Sequence, residues 1–302
     1  MAASGAIRRR IKSVKNTRKI TKAMELVAAS KMRRSVQVVL GTRPYARLAW
    51  DTVRAVSRVA DASLHPLLRA PDAKCILLLL LSSDRGLAGG FNANIVKKAL
   101  VAARERWAGM EVTAIVVGKR GGDAVRRAGI PVLASFSDLA NAPSFFDIQP
   151  IARLVRDEFS TGTYARVTVA YTHFVSAMTQ QPILLDLLPF PNPGDSDLPG
   201  VAGLERAGGA GVPSDPGEYL FEPRPEEVLD RLLPRLVDAM TYQALLESSA
   251  SEHSARMLAM RSASDAATDM VDSLTFAYNQ MRQAGITREI AEISSGKAAL
   301  ET

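Results

Sequence analysis

The fold is decided by the stretch MLAMRSASDAATDMVDSLTFAYNQM, residues 257–281. Within it, residues spaced alternately three and four apart form one stripe of apolar and small side chains. The stripe consists of Met257, Met260, Ser264, Ala267, Val271, Leu274, Tyr278 and Met281. A period of about 3.5 residues keeps one helix face against a neighbouring helix and produces a left-handed supercoil. The sequence therefore predicts a long C-terminal helix that packs on a second helix.

The N-terminal segment is the candidate for that second helix. Nothing breaks a helix over residues 5–40, whereas Gly41 and Pro44 predict a stop or a kink, after which residues 45–62 read as helix again. Three apolar residues spaced by four and then three begin a matching seam: Ile7, Ile11 and Val14. The seam then becomes irregular, because Arg18 and Thr21 occupy its next two positions.

Helix length indicates how the two segments are arranged. Residues 235–283 would span roughly 70 Å as one helix, at about 1.5 Å per residue. A compact globule of this chain length has a diameter near ~50 Å. We therefore expect the helix to project and to pair with the N-terminal helix as an antiparallel coiled coil. The small seam residues Ser264 and Ala267 weaken this seam, which favours additional support from a surrounding partner.

The middle of the chain, residues 72–190, has a different periodicity. Five short segments read as strands: Cys75–Ser82, Val112–Val117, Pro131–Phe136, Arg166–His173 and Pro182–Leu188. Three helical segments separate the first four strands: Asn94–Trp107, Arg120–Ala128 and Ile148–Phe159. This alternation predicts a Rossmann-like α/β domain with a parallel sheet, and the last two strands an antiparallel hairpin at one edge.

A proline- and glycine-rich segment follows the sheet. Residues 191–223 lack apolar periodicity and predict a flexible loop. Pro225 suits the first turn of a helix and Pro234 predicts a kink in it. The expected organisation is therefore an N-terminal helix over 1–62, an α/β domain over 72–190, this loop, and a C-terminal helix over 225–302.

Positive charge is concentrated near the N-terminus. Residues 1–34 contain eleven Lys or Arg and a single acid, Glu25, for a net charge of +10. Since the entire chain carries +7, the remainder sums to −3. A local basic helix usually faces an acidic partner, and nucleic acid, anionic lipid and an acidic protein surface all qualify.

The residues give little sign of catalysis. The turn SSDRGLAGGFNANI, residues 82–95, lies where phosphate-binding loops occur but matches neither common phosphate-binding motif, and we interpret it as a tight turn with Asn92 as a helix cap. Neither GxSxG nor HExxH is present, and the three histidines are scattered. The single Cys75 reads as a small buried hydrophobe. We expect no cofactor and no metal.

Two other functions remain open on the residues alone. A nucleic-acid-binding adaptor would use the basic N-terminal helix, although residues 1–34 contain no aromatic side chain for stacking. An enzyme built on the central domain would bind a ligand at residues 82–92. The longest purely apolar run, Ile76–Leu81, is far shorter than the roughly 20 residues of a membrane helix, so we expect a soluble protein.

Five stretches in order along the chain resemble the gamma subunits of F-type ATP synthases. They are IRRRIKSVKNTRKITKAMELVAASKMRR (7–34), SDRGLAGGFN (83–92), EYLFEP with PEEVLDRLLPRL (218–223 and 225–236), SEHSARMLAMRSASDAATDM (251–270) and ITREIAEISSGKAAL (286–300). Two residues depart from the pattern. Ala88 stands where many relatives have cysteine, and Lys297 stands where the C-terminal signature usually has alanine.

The resemblance implies a non-catalytic central rotor. The coiled coil would turn inside a ring of alpha and beta subunits, coupling hydrogen ion transport to ATP synthesis or hydrolysis and regulating ATPase activity and proton flow. The α/β domain would attach to the epsilon subunit and to the membrane ring of c subunits. The acidic lever segments of the beta subunits would then face the basic helix.

Individual residues inherit expected contacts from this resemblance. Those expected to contact the alpha/beta ring are Arg9, Lys19, Lys22, Met24, Arg34, Gln283, Thr287 and Glu289. Met24 matches the position that faces the beta lever. Tyr219 and Glu222 match positions that contact epsilon and the c-ring at the foot.

The resemblance also carries an expected location. Chloroplast relatives have an additional cysteine pair after the region that corresponds to Leu188, and this chain has none there. The chain begins almost where mature members of the family begin, which leaves no room for a transit peptide. We therefore expect a bacterial protein on the cytoplasmic face of the inner membrane, attached to the membrane only through its partners, with no nucleic acid bound.

Overall fold

A computed structural model describes residues 2–56, 65–139, 143–190 and 224–300. The first and the last helix of the chain are long: α1 is Ala2–Val56 and α5 is Pro225–Leu300. The strands are β1 Cys75–Leu81, β2 Glu111–Val117, β3 Val132–Phe136, β4 Tyr164–Phe174 and β5 Gln180–Leu188. The shorter helices are α2 Phe91–Glu105, α3 Lys119–Arg127 and α4 Phe145–Ser160.

The five strands form one mixed sheet in the order β3-β2-β1-β4-β5. The first four are parallel, and β5 pairs antiparallel with β4 at one edge. This confirms the predicted α/β domain and its terminal hairpin. The predicted strand and helix boundaries are displaced by up to three residues, the largest displacement being at the start of α2 and of α4.

Both faces of the central strand β1 are buried. Leu77, Leu79 and Leu81 belong to a core that includes residues of α4 and of the first third of α5. The alternate residues Ile76, Leu78 and Leu80 belong to a second core that includes residues of α2 and α3. A strand covered by helices on both faces has no polar positions, which explains the uninterrupted leucine run.

The chain divides into two compact units. The helical unit contains Met1–Ala28 and Arg256–Thr302, and the sheet unit contains Ala29–Ala255.

Two glycines make the turn between β2 and α3 possible. Gly118 has φ +94°, and a Cβ there would lie 2.3 Å from the Ser82 carbonyl oxygen. A Cβ on Gly121 would lie 2.4 Å from the Ser82 hydroxyl oxygen, which accepts a hydrogen bond from the Gly121 N–H over 2.9 Å. The ends of β1 and β2 are therefore joined more closely than any larger residue permits.

One expectation for α1 was wrong in part. Helix α1 continues through Gly41 and Pro44, where the sequence predicted a stop or a kink, so a stop does not occur. Pro44 has no N–H for the Leu40 carbonyl, but both residues are exposed and water can satisfy the carbonyl. Helix α5 likewise continues through Pro234.

Two local expectations for the sheet unit were also wrong. Asn92 does not cap α2, because that helix already begins at Phe91 and Gly90 is its cap. The Asn92 amide instead bonds to Ser83, accepting from its N–H over 3.0 Å. Cys75 is only partly buried, because it is the first residue of β1. Its Sγ lies 3.8 Å from Glu111 Oε2.

A polar run of α5 is buried in the sheet unit. It contains Thr241, Gln243, Glu247, Ser248, Ser249, Ser251, Glu252, His253 and Ser254. Thr42 Oγ1 donates to Gln243 Oε1 over 2.6 Å, and Gln243 Nε2 donates to Glu247 Oε1 over 2.9 Å. The other Glu247 oxygen lies 2.5 Å from His173 Nδ1 on β4. This chain of hydrogen bonds, the buried polar network, joins α1, α5 and the sheet.

The same run compensates for a proline in β5. Pro182 lies opposite Thr172 and has no N–H to donate across the ladder. Ser251 Oγ donates to the Thr172 carbonyl over 3.0 Å instead. In the parts of the chain that the structure describes, no helix is long and apolar enough to cross a membrane.

Candidate interaction surface on the paired terminal helices

Within the helical unit, the two terminal segments run antiparallel. Thr21 Oγ1 lies 2.7 Å from Ser264 Oγ, and Arg18 Nη1 donates to Thr268 Oγ1 over 3.5 Å. Residue numbers therefore rise along one helix as they fall along the other. The predicted antiparallel pairing is confirmed.

The seam follows the predicted stripe. Met260, Ser264, Ala267 and Val271 are all buried. Met257, Leu274 and Tyr278 are partly buried, and Met281 is exposed. The seam thus loosens toward the C-terminus.

The irregular part of the N-terminal seam is a polar layer. Thr21 takes a position where a regular coiled coil has an apolar residue, and its hydroxyl is bonded to the Ser264 hydroxyl. A satisfied hydrogen bond of this kind contributes about 0.5–1.5 kcal/mol, whereas leaving one partner buried and unpaired costs roughly 1–3 kcal/mol. The layer therefore favours this register of the two helices over its neighbours.

A groove of about 590 Å³ lies beside this polar layer. Arg18, Lys19 and Lys22 line it from the N-terminal helix, and Asp265 lines it from the C-terminal helix. Lys22 Nζ lies 2.9 Å from Glu25 Oε2, so the single acid of residues 1–34 is already paired. The groove thus carries an excess of positive charge.

Large apolar side chains are exposed on the same helix. Ile20, Leu26 and Val27 are 57–61% exposed, and Leu26 also lines the groove. Exposed apolar side chains interleaved with cations are typical of a protein-binding surface. The sequence analysis missed these three residues because they lie off the heptad seam, and their off-seam position was the available signal.

The C-terminal helix extends beyond this pairing. Thr21 pairs with Ser264 and Arg18 with Thr268, so the residue numbers of paired positions sum to 285 or 286. At the same register, Ala2 at the start of α1 lies beside about residue 284 of α5. Beyond that point Ile286, Ile290 and Ile293, spaced by four and three, are 48–74% exposed. This apolar stripe faces no described residue of α1, and the sequence analysis did not single it out.

The structure brings together only some of the expected contact residues. Lys19 and Lys22 share the groove, while Arg9 is exposed and Met24 partly buried on the same helix. Gln283, Thr287 and Glu289 are exposed beside the isoleucine stripe. Arg34 is exposed in the sheet unit. Tyr219 and Glu222 lie outside the described residues.

Asp84, in the turn after β1, accepts hydrogen bonds from the backbone of two other loops. Its Oδ1 accepts from the Lys119 N–H after β2 over 3.1 Å, and its Oδ2 accepts from the Asp138 N–H after β3 over 2.8 Å. The turn is therefore anchored to the ends of the neighbouring strands. No group of three or more His, Cys, Asp or Glu able to hold a metal ion occurs in the described ranges.

A mixed α/β sheet combined with an antiparallel helix pair, whose outer surface is cationic and apolar, defines an interaction subunit. A family model described as ATP synthase matches residues 4–300. The ATP synthase gamma chain of Herpetosiphon aurantiacus is 42% identical over 309 aligned residues, which cover 99% of both chains. That of Pelotomaculum thermopropionicum is 40% identical and covers 98% of both chains. The chain therefore belongs to the ATP synthase gamma chain family.

Solved structures agree with this assignment. The chain resembles one from the central stalk and c-ring structure of Tetrahymena thermophila mitochondrial ATP synthase, with a TM-score of 0.61 and 27% identity. That match covers 81% of this chain and 99% of the other. A chain of the Euglena gracilis mitochondrial ATP synthase has a TM-score of 0.64 over 99% of this chain and 95% of its own, at 20% identity, which supports the fold.

Proposed function

We propose that this chain is the non-catalytic central stalk of an F-type ATP synthase, coupling rotation to ATP synthesis or hydrolysis on other subunits. The observation that carries the proposal is the outer surface of the helix pair. Cations at Arg18, Lys19 and Lys22 alternate there with exposed Ile20 and Leu26. Such a surface suits a partner surface on which acidic and apolar residues alternate.

The partners are the alpha and beta subunits around the helix pair. Arg9, Lys19, Lys22 and Met24 would meet the acidic levers of beta subunits, with Arg34 further along the same helix. Gln283, Thr287 and Glu289 would be held by the ring with the isoleucine stripe. Since that stripe is exposed in the chain alone, burying it in a sleeve would remove apolar surface from water.

The foot would be built by the α/β domain over residues 72–190. Epsilon and the c-ring would bind there, with Tyr219 and Glu222 at the contact. The location is the cytoplasmic face of the bacterial inner membrane, reached through these partners. The proposed segmentation is a shaft of 1–62 and 225–302, a foot of 72–190 and a flexible loop of 191–223.

The mechanism is linkage between conformations and not local chemistry. An asymmetric shaft that contacts each beta subunit differently changes that subunit's affinity for nucleotide as it turns. Coupling would thus require only shape, charge and stiffness from this chain.

The test is co-expression of the chain with the alpha and beta subunits of its own organism, followed by an ATPase assay of the purified assembly. We expect hydrolysis that requires this chain and that falls when residues 283–302 are removed. Met24→Lys should also reduce it, because an added charge would meet the lever contact, while Met24→Leu serves as the matched control. A chain that stays monomeric, beside a ring whose activity is unchanged without it, would overturn the proposal.

A further inference from the structure

A second cavity, of about 280 Å³, lies within the sheet unit. Lys31, Arg34, Ser35 and Val38 of α1 line one side, at the spacing that places four residues on a single helix face. Lys31 and Arg34 are exposed at its mouth. Arg34 makes no hydrogen bond or ion pair with any residue that the structure describes, so its five N–H donors are available to a ligand.

The other side of this cavity combines apolar side chains with the polar residues Ser144 and His253. Tyr242, Leu246 and His253 of α5 also share one helix face, and the last two are buried. Tyr242 Oη donates to the Pro143 carbonyl over 3.1 Å, and the Phe145 ring meets the Tyr242 ring edge-on with centroids 5.6 Å apart. These contacts hold the Tyr242 ring in place, so this side of the cavity is formed before a ligand binds.

Two cations, Lys31 and Arg34, line this cavity, and none of its described lining residues is acidic. Lys31 already has a partner, so Arg34 is the cation that a ligand would meet. The nearby Asp147 carboxylate accepts from the Ser144 N–H and hydroxyl over 2.8 and 2.7 Å, which commits it to capping α4. Burial, followed by the charge of Asp147, raises the pKa of Tyr242, so its hydroxyl remains protonated and bonded to Pro143.

From this geometry we infer that the cavity binds a small organic anion with a compact apolar body, such as an aryl-alkyl carboxylate. Its anionic group would meet Arg34, and its apolar body would lie against Val38, Leu246 and the Tyr242 ring. The volume is at the small end of ligand pockets, which start near ~300 Å³. A ligand of about twelve heavy atoms at modest efficiency binds with a Kd of roughly 0.1–1 mM. Arg34 is also an expected contact of the alpha/beta ring, but binding to the isolated chain does not depend on the proposed rotary function.

The test titrates phenylbutyrate into the purified full-length chain by isothermal calorimetry. We expect saturable binding in the stated range. Its neutral carboxamide analogue should bind at least about tenfold more weakly, because a charged hydrogen bond to Arg34 is lost. Binding of the amide as tight as that of the carboxylate would contradict the assigned chemistry.

Two variants locate the site, each with a control on the opposite face of α1. Arg34→Glu should abolish binding by reversing the charge, and Val38→Trp should abolish it by filling the cavity. Arg33→Glu and Leu40→Trp introduce the same changes at exposed positions that the helical spacing places away from the cavity. Circular dichroism confirms that all four variants fold. Equal binding by Arg34→Glu and Arg33→Glu would overturn the inference.

The assembled complex distinguishes a free ligand from a partner's side chain. If phenylbutyrate binds the assembly as well as it binds the isolated chain, the site serves a free small molecule. If the assembly excludes the probe while the isolated chain binds it, a carboxylate of a partner subunit occupies the cavity, and the inference of a free ligand fails. Either result leaves the ATPase test of the shaft unaffected.

Discussion

In two regions of helix α5, burial is the opposite of what the residue types would suggest. Residues 241–254 contain four Ser, two Glu and one Gln yet are almost entirely buried, whereas residues 281–295 contain three isoleucines and are exposed throughout. The first region satisfies its polar groups inside the sheet unit, through the buried polar network. The second has no such partner among the described residues of the chain. The difference teaches that one region is completed by folding and the other by assembly.

Breaking the buried polar network should have the largest effect. Glu247→Leu leaves the buried Gln243 and the partly buried His173 without their shared partner, and we expect a loss of about 3 kcal/mol in the free energy of unfolding. Glu247→Gln keeps an acceptor and should lose roughly half as much. Denaturant unfolding of the purified chain measures both. Equal stability of the Leu variant and the wild type would show that the buried polar network does not stabilise the folded chain.

The exposed stripe should behave in the reverse manner. Changing Ile286, Ile290 and Ile293 together to Ser should alter the stability of the isolated chain by less than about 0.5 kcal/mol, as surface changes usually do. The same variant should dissociate from the alpha/beta ring at least about tenfold faster, since buried apolar surface is lost only there. Gel filtration of the assembly after dilution tests this. If the variant destabilised the isolated chain but left the assembly intact, the stripe would serve folding and not assembly.

The polar layer of the helical unit lies between these extremes. Thr21→Val leaves the buried Ser264 hydroxyl unpaired and should cost about 1–2 kcal/mol. The double change Thr21→Val with Ser264→Ala removes both groups and should recover most of that loss. A double-mutant cycle on thermal unfolding gives the coupling. Additive losses would mean that the two hydroxyls stabilise the seam independently.

Single charges on the outer surface should matter less. Neutralising Lys19, Lys22 or Arg34 alone should weaken coupling of hydrolysis to proton pumping only modestly, by about 0.2–1 kcal/mol, because exposed charges are screened by salt. Proton pumping by the reconstituted complex at two salt concentrations measures the effect. Complete uncoupling by one neutralisation would refute a distributed contact.

The smallest expected effect is on pH dependence in the sheet unit. Burial lowers the pKa of His65 more than the charge of Asp230 raises it, and the Leu67 N–H donates to its Nδ1 over 3.1 Å. The unfolded chain therefore binds more protons, so stability is lost as pH falls from about 6.5 through the lower folded pKa. His65→Gln should flatten the dependence of stability on pH between pH 5 and 7. An unchanged slope would show that His65 does not contribute.

The sequence predicts what depends on local periodicity. The stripe from Met257 to Met281 and the leucine run of β1 predicted the helix pair and the buried strand, because each repeats at the period of its element. It did not predict the burial of Gln243 and Glu247. Their partners Thr42 and His173 lie 201 and 74 residues away, so no local pattern reports the pairing.

The candidate surface was predicted only in part. Lys19 and Lys22 followed from the concentration of basic residues, and the resemblance supplied Gln283 and Thr287. The cavity beside Arg34 was not predicted, because three separate elements meet there. Exposure of isoleucine also has no signature in a single sequence, since the same residue type forms the cores of most proteins.

Asp84 acts as a clasp at the carboxyl end of the sheet. Its single carboxylate accepts from one backbone N–H after β2 and from another after β3, while the residue itself follows β1. Replacing it with glycine would leave both N–H groups without their acceptor, next to the exposed Arg85. One side chain thus fastens the ends of three neighbouring strands to one another.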